Sequence, residues 1–114
     1  MYVFHSTVRL KPGNDARFLA MGASGGSGPE PILVAPGFIK RLLLRDKEHP
    51  GVYFYMSFWE SFEHLEAYRA TEAVRATVSA VGGADIFAAP LERVECDVVH
   101  DDVALRRDGP WPAV

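Results

Sequence analysis

The residues of this chain most able to do chemistry on a small molecule lie at alternate positions in one short segment. Tyr53, Tyr55, Ser57 and Trp59 recur every second residue between Val52 and Trp59. In an extended strand that spacing puts all four on one face. Large rings give flat walls for a planar aromatic ligand, and their N–H and O–H groups can fix its orientation. The plainer reading of Trp59 is packing against the helix that follows. His5 sits in the first apolar segment and shares its face with Val3 and Thr7. A histidine in an apolar pocket can take up a proton near neutral pH, although a satisfied structural histidine is the commoner case. Tyr68, further along, can donate to a ligand oxygen or pack in the core, and Leu65 lies on the apolar stripe of the same helix. The candidate set is therefore His5, Tyr55 and Trp59 for catalysis, with Thr7, Tyr53, Ser57, Leu65 and Tyr68 as ligand contacts.

Other constellations carry less. His49 falls in a turn, and His64 lies off the apolar stripe of its helix. His100 with Asp101 and Asp102 lacks a second histidine at ligand spacing, so no metal is expected. The glycine-rich run 22–28 has no Gly-Lys-Ser/Thr ending and follows no strand, which argues against a phosphate loop. It reads as a mobile lid over a pocket mouth, or as a surface loop without a role. Cys96 is the single cysteine, which rules out an intrachain disulfide and fits a reducing cytoplasm. Its alternation with Val94 and Val98 predicts an inert, buried thiol. A formal net charge of −3 and a pI near 5.7 argue against non-specific binding to nucleic acid or anionic membranes. No apolar run approaches the roughly 20 residues that span a bilayer, and Met1 to His5 does not read as a secretory leader.

The elements that must position these residues follow from local pattern. Tyr2 to Leu10 reads as a strand ended by Lys11-Pro12-Gly13. Asn14 or Asp15 can cap a helix through Met21. A short helical piece over Pro31 to Ala35 is stopped by Pro36-Gly37. Phe38 to Arg45 and Val52 to Trp59 read as strands joined by a polar loop, Asp46 to Gly51. Ser61 can cap a helix from Phe62 to Ala70, and Thr71 a third from Glu72 to Val81. Leu91 to His100 reads as the last strand. The order is β-α-β-β-α-β, a ferredoxin-like α+β domain over residues 1–100 with a tail over 101–114.

Helices can cover one face of such a sheet, and the other should then be polar in a monomer. Here Tyr53, Tyr55 and Trp59 alternate with Val52, Phe54, Met56 and Phe58. Phe38, Leu42 and Leu44 likewise alternate with Ile39 and Leu43. Both faces ask for burial, and the simplest cover for the second is another copy of itself, giving a homodimer.

Pro36-Gly37-Phe38, the Pro50-Gly51 turn, the strand ending Phe58-Trp59-Glu60-Ser61, and the helix Phe62-Glu63-His64-Leu65-Glu66-Ala67-Tyr68 resemble the antibiotic biosynthesis monooxygenase superfamily. Lys11-Pro12-Gly13 and its spacing to Pro36-Gly37-Phe38 fit as well. The resemblance covers about residues 2–100 and implies a dimeric α+β barrel. It implies a cofactor-free oxygenase for aromatic or polyketide-like substrates, with O₂ as co-substrate and Trp59 matching a tryptophan near the substrate. Tyr55 stands where those oxygenases carry an asparagine, which leaves open a polyketide cyclase or isomerase using the same pocket, or a non-catalytic ligand-binding dimer. The haem-degrading branch uses an asparagine late in the first strand, a tryptophan on the second helix and a histidine on the third. This sequence offers Ser6 or Thr7, Tyr68 and Val78 there, which do not match. The expected reaction has no cofactor. His5 favours the phenolate of an electron-rich phenol, and the phenolate passes an electron to O₂.

Overall fold

A computed structural model describes residues 1–22, 31–72, 74–75 and 85–103. It contains β1 (Tyr2–Arg9), α1 (Asp15–Gly22), a 3-10 turn (Pro31–Val34), β2 (Phe38–Arg45), β3 (Val52–Trp59), α2 (Phe62–Arg69) and β4 (Glu92–Asp97). The strands form one antiparallel sheet in the order β2-β3-β1-β4, the ferredoxin-like α+β arrangement. The piece after the glycine run is one 3-10 turn rather than a stretch of α-helix, and β4 is shorter than its apolar alternation predicts. Most of the glycine-rich run, most of the expected third helix and the tail beyond residue 103 lie outside the described residues.

Register decides which side chains share a face, because directly paired residues of antiparallel strands point the same way. β1 pairs Tyr2 with Trp59, Phe4 with Ser57, Ser6 with Tyr55 and Val8 with Tyr53. These eight residues look toward the helices. Val3 with Phe58, His5 with Met56 and Thr7 with Phe54 point to the opposite, open side. On β4, Glu95 and Arg93 join the helix side as partners of Phe4 and Ser6, while Val94 and Cys96 join the open side.

One feature of β2 escapes alternation. The register shifts between Phe38 and Lys40, so Phe38 pairs with Trp59 while Leu42 and Leu44 pair with Met56 and Phe54. The extra residue of a bulge reverses facing across it. Phe38 therefore stands on the helix side, not with Leu42 and Leu44 as strict alternation predicts. Its ring meets Trp59 edge-on at 5.5 Å.

The helix side holds two hydrophobic clusters. One joins Val8, Leu10, Tyr53 and Ile86, with Phe18, Leu19 and Met21 of α1 packed against it. The other joins Ile32, Trp59 and Leu65, with Tyr2, Phe4, Phe38 and Tyr68 around it. The open side is largely apolar, and in the single chain Leu42, Leu44 and Val94 keep 39%, 42% and 55% of their surface exposed there.

The Pro-Gly-Phe and Trp-Glu-Ser motifs meet in one joint. Gly37 has φ of +78°, and a Cβ there would overlap the His64 ring. Glu60 donates its N–H to the Gly37 carbonyl at 2.8 Å. Ser61 caps α2 by accepting from the His64 N–H at 3.3 Å, and the His64 Nδ1 lies 2.7 Å from the same hydroxyl. His64 is thus half-buried against Gly37 rather than fully solvated.

Candidate functional site

The sheet separates the sequence-derived set into two groups. Tyr53, Tyr55, Ser57 and Trp59 share the helix side, and Leu65 and Tyr68 of α2 pack onto it. His5 and Thr7 do not join them. His5 stacks on Phe54 with centroids 5.9 Å apart, on the open side. Thr7, the register partner of Phe54, is buried there. A base at His5 acting on a ligand held beside Tyr55 would have to reach through the sheet. The sequence could not reveal this, because both faces of both strands are apolar and alternation fixes which residues travel together without fixing which side they take.

Within the helix-side group Trp59, Tyr53 and Leu65 belong to the core, and the first two also hold internal hydrogen bonds. Trp59 is 0% exposed, and its Nε1–H donates to Ser57 Oγ at 3.0 Å. Its ring lies 5.2 Å from Tyr68 and 5.5 Å from Phe38. Tyr53 is 1% exposed, donates to Asp15 Oδ2 at 2.6 Å and accepts from Arg45 Nε at 3.3 Å. Burial and internal hydrogen bonds leave neither ring a surface for a ligand. Both act as the walls that hold their neighbours.

The middle row of the sheet, Leu43–Tyr55–Ser6–Arg93, belongs to neither hydrophobic cluster; Leu43 and Arg93 are exposed and Tyr55 half-buried, while Ser6 is buried between them. Leu43 keeps 40% of its surface, and Tyr55 and Phe4 meet edge-on at 6.4 Å. The adjoining row runs Arg41–Ser57–Phe4–Glu95. The arrangement is an aromatic strip with small hydroxyls beneath it and arginines at both ends. Such a surface suits a planar ring bearing oxygen substituents.

A polar clamp closes one side. Arg69, at the end of α2, bonds to the Glu95 carboxylate and lies 3.3 Å from Glu66. Its guanidinium stands over the Phe4 ring at 5.6 Å. Tyr2 donates to Glu95 Oε1 at 2.9 Å. The hydrogen bond from Arg69, ahead of the opposing effect of burial, holds the Glu95 carboxyl below the usual glutamate range. Burial first, then the bond to Glu95, pushes the Tyr2 phenol up. No local pattern marks Arg69, Glu95 and Tyr2 as a group, since their meeting depends on the pairing of β1 with β4, 93 positions apart for Tyr2 and Glu95.

No group of three or more metal-binding side chains occurs among the described residues. No histidine or cysteine among them faces the middle row, so that row offers neither as a ligand to porphyrin iron. Cys96, expected to be buried, is exposed in the single chain and stands on the open side. No described helix is long and apolar enough to cross a membrane.

The model for the family described as antibiotic biosynthesis monooxygenase matches residues 1–80. A search of curated proteins found no match. Solved structures share the fold. A candidate antibiotic biosynthesis monooxygenase from Deinococcus radiodurans superposes with a TM-score of 0.75 at 13% identity, covering 92% of this chain and 99% of that one. One from Nitrosomonas europaea gives 0.72 at 17% identity, over 88% and 100%. A MhuD variant crystallised with two manganese protoporphyrin IX molecules per active site gives 0.70 at 22% identity, over 91% and 100%.

Proposed function

Because the chain belongs to the antibiotic biosynthesis monooxygenase family, we propose that it oxygenates a planar, phenolic aromatic or polyketide-like substrate with O₂ and without a cofactor. The substrate lies along the Leu43–Tyr55–Ser6–Arg93 row, on the side of the sheet that α1 and α2 flank. Arg41 and Arg93, at opposite ends of the two adjoining rows, favour the phenolate form of the substrate. The phenolate transfers one electron to O₂. The resulting radical pair recombines at the activated carbon, and the hydroperoxide loses water to give a quinone. Overall an anthrone or hydroquinone gains one oxygen atom and loses two hydrogens, and O₂ supplies the second oxygen to water. The chain's part is orientation and bias toward the anion.

The observation that supports this most is Tyr55, an aromatic side chain of the helix side left outside both core clusters, with Phe4 edge-on beside it and arginines at the ends of the rows. The test is O₂ consumption by purified protein with anthrone, using isotopically labelled O₂. One labelled oxygen in the product is expected, and Tyr55→Ala should lose activity while His5→Gln keeps it. Absence of uptake across anthrone and hydroquinone substrates would refute the reaction.

A second reading has its own support. No histidine among the described residues faces the row, and Glu95 is held ionised by Arg69. A site without a base poised near neutral pH suits a cyclase or isomerase that relies on shape, or a ligand-binding dimer. Product mass separates these, since cyclisation by condensation or isomerisation adds no oxygen.

The same proposal puts a second copy of the chain against the open face. Leu42, Leu44, Val94, Phe54 and Met56 form one apolar surface there, with His5 at its centre. A self-complementary contact covers it on both partners at once.

A further inference from the structure

The open side of the sheet sets an ionisable ring among apolar side chains. Its middle row runs Leu42–Met56–His5–Val94. The His5 ring is half-buried and stacks on Phe54 at 5.9 Å. Among the described residues no hydrogen bond or ion pair reaches its nitrogens. The other titratable groups on that side stand off the middle row. From β2, Lys40 lies over the Phe58 ring at 5.0 Å. From β4, Cys96 stands opposite Val3 and Glu92 opposite Thr7, and Glu92 is already bonded to Arg9 of β1 at 2.7 Å. The paired residues of β3 on this side, Phe54, Met56 and Phe58, carry no charge. Lys40 and Glu92 thus mark opposite corners of the face, on its two edge strands. A two-fold axis lying between two such faces can set each Lys40 against the Glu92 of a second copy, which makes the face complementary to itself in charge as well as in apolar surface.

We infer that His5 makes the contact between two copies pH-sensitive, so that the pair holds while both imidazoles are neutral and separates when they take up protons. The inference rests on the open-face dimer proposed above and adds the group that governs it. A neutral imidazole enters an apolar contact at modest cost, and an imidazolium with no free carboxylate beside it at high cost. The separated chains therefore bind more protons than the pair, and a fall in pH favours separation. An ordinary exposed imidazole titrates near 6.5, so at about pH 5.5 it is protonated about ten to one. Excluding that form from the contact weakens association about tenfold per copy and about a hundredfold per dimer.

Sedimentation velocity of the full chain over a concentration series, at about pH 8 and about pH 5.5 and one ionic strength, tests this. The wild-type dissociation constant is expected to rise about a hundredfold at the lower pH. His5→Gln keeps a polar side chain and every other charge but removes this titration, and its constant is expected to change by less than about threefold. A wild-type constant that stays within about threefold overturns the inference, and that measurement needs no variant. So does a wild-type shift that His5→Gln reproduces. Met56→Asp separates the inference from the reading beneath it. If the wild type pairs at both pH values and Met56→Asp does not pair, the open-face dimer stands and the role of His5 falls. If the wild type is monomeric at about pH 8, or Met56→Asp pairs as the wild type does, both fall.

Discussion

Met56→Asp should split the proposed dimer into monomers, and the size of the effect can be worked from the open face. Met56 pairs with His5 on one side and Leu42 on the other, at the middle of the sheet. Leu42, Leu44 and Val94 keep 39%, 42% and 55% of their surface in the single chain. Covering what remains of each is worth about 1 kcal/mol, given about 1.5–3 kcal/mol for burying a whole Val or Leu side chain. Three such residues on each of two copies give about 6 kcal/mol of gross gain. Half-buried Phe54, Met56 and Phe58 add to it, and the loss of translational and rotational freedom offsets part of it. An aspartate at position 56 brings two carboxylates into that contact beside His5, each costing several kcal/mol to desolvate, a cost that pairing with a histidine offsets only in part. Their combined penalty exceeds the gain from the three aliphatic residues, so dissociation at micromolar concentration is expected by sedimentation velocity. Leu33→Asp, in the 3-10 turn on the helix side, is the control and should remain dimeric. The reasoning is refuted if Met56→Asp sediments as the wild type does.

Other substitutions test other parts of the account. Gly37→Ala should cost about 2–3 kcal/mol, combining a left-handed backbone conformation with loss of the His64–Ser61 hydrogen bond. In a His64→Ala background the same change should cost about 1 kcal/mol less, read by urea unfolding, and equal costs in both backgrounds would dismiss the proposed clash. Ser57→Ala leaves the buried Trp59 N–H without its acceptor and should destabilise by about 1–3 kcal/mol, while Thr at that position should restore part of the loss. Glu95 is held ionised in the fold by Arg69, so its stabilising contribution is complete above the ordinary glutamate value of 4.5 and drains away as pH falls through its lowered folded-state value. Glu95→Gln should therefore flatten the pH dependence of the unfolding free energy on the acid side of 4.5, and an unchanged slope would show that the Arg69 contact carries no such linkage.

The sequence carried the element order well, because each segment had its own punctuation. Ser61 caps α2 as its type predicts, and the Pro50-Gly51 turn lies between the two predicted central strands. It also carried the two-sided greasiness of the sheet, since alternation survives in β3 without a break. It could not show the bulge between Phe38 and Lys40, where an extra residue reverses facing without any glycine or proline to mark it. Nor could it decide the side on which His5 stands. Val3, His5 and Thr7 alternate with Phe4 and Ser6, and only pairing with β3 reveals that Phe4 and Ser6 look toward Tyr55. Trp59 and Tyr53 were visible as aromatic residues of the right face, but their burial depends on α1, α2 and the 3-10 turn arriving from elsewhere in the chain. The Arg69–Glu95–Tyr2 clamp was illegible for the same reason, being assembled from three distant segments.

A crystal structure of the protein soaked with anthrone in the absence of O₂ bears most directly on the claim that the helix side of the sheet is where the small molecule binds. The account predicts the ring system against Phe4 and Tyr55, with His5 walled off behind the sheet. An anthrone seated on the open face beside His5 and Phe54 would contradict it.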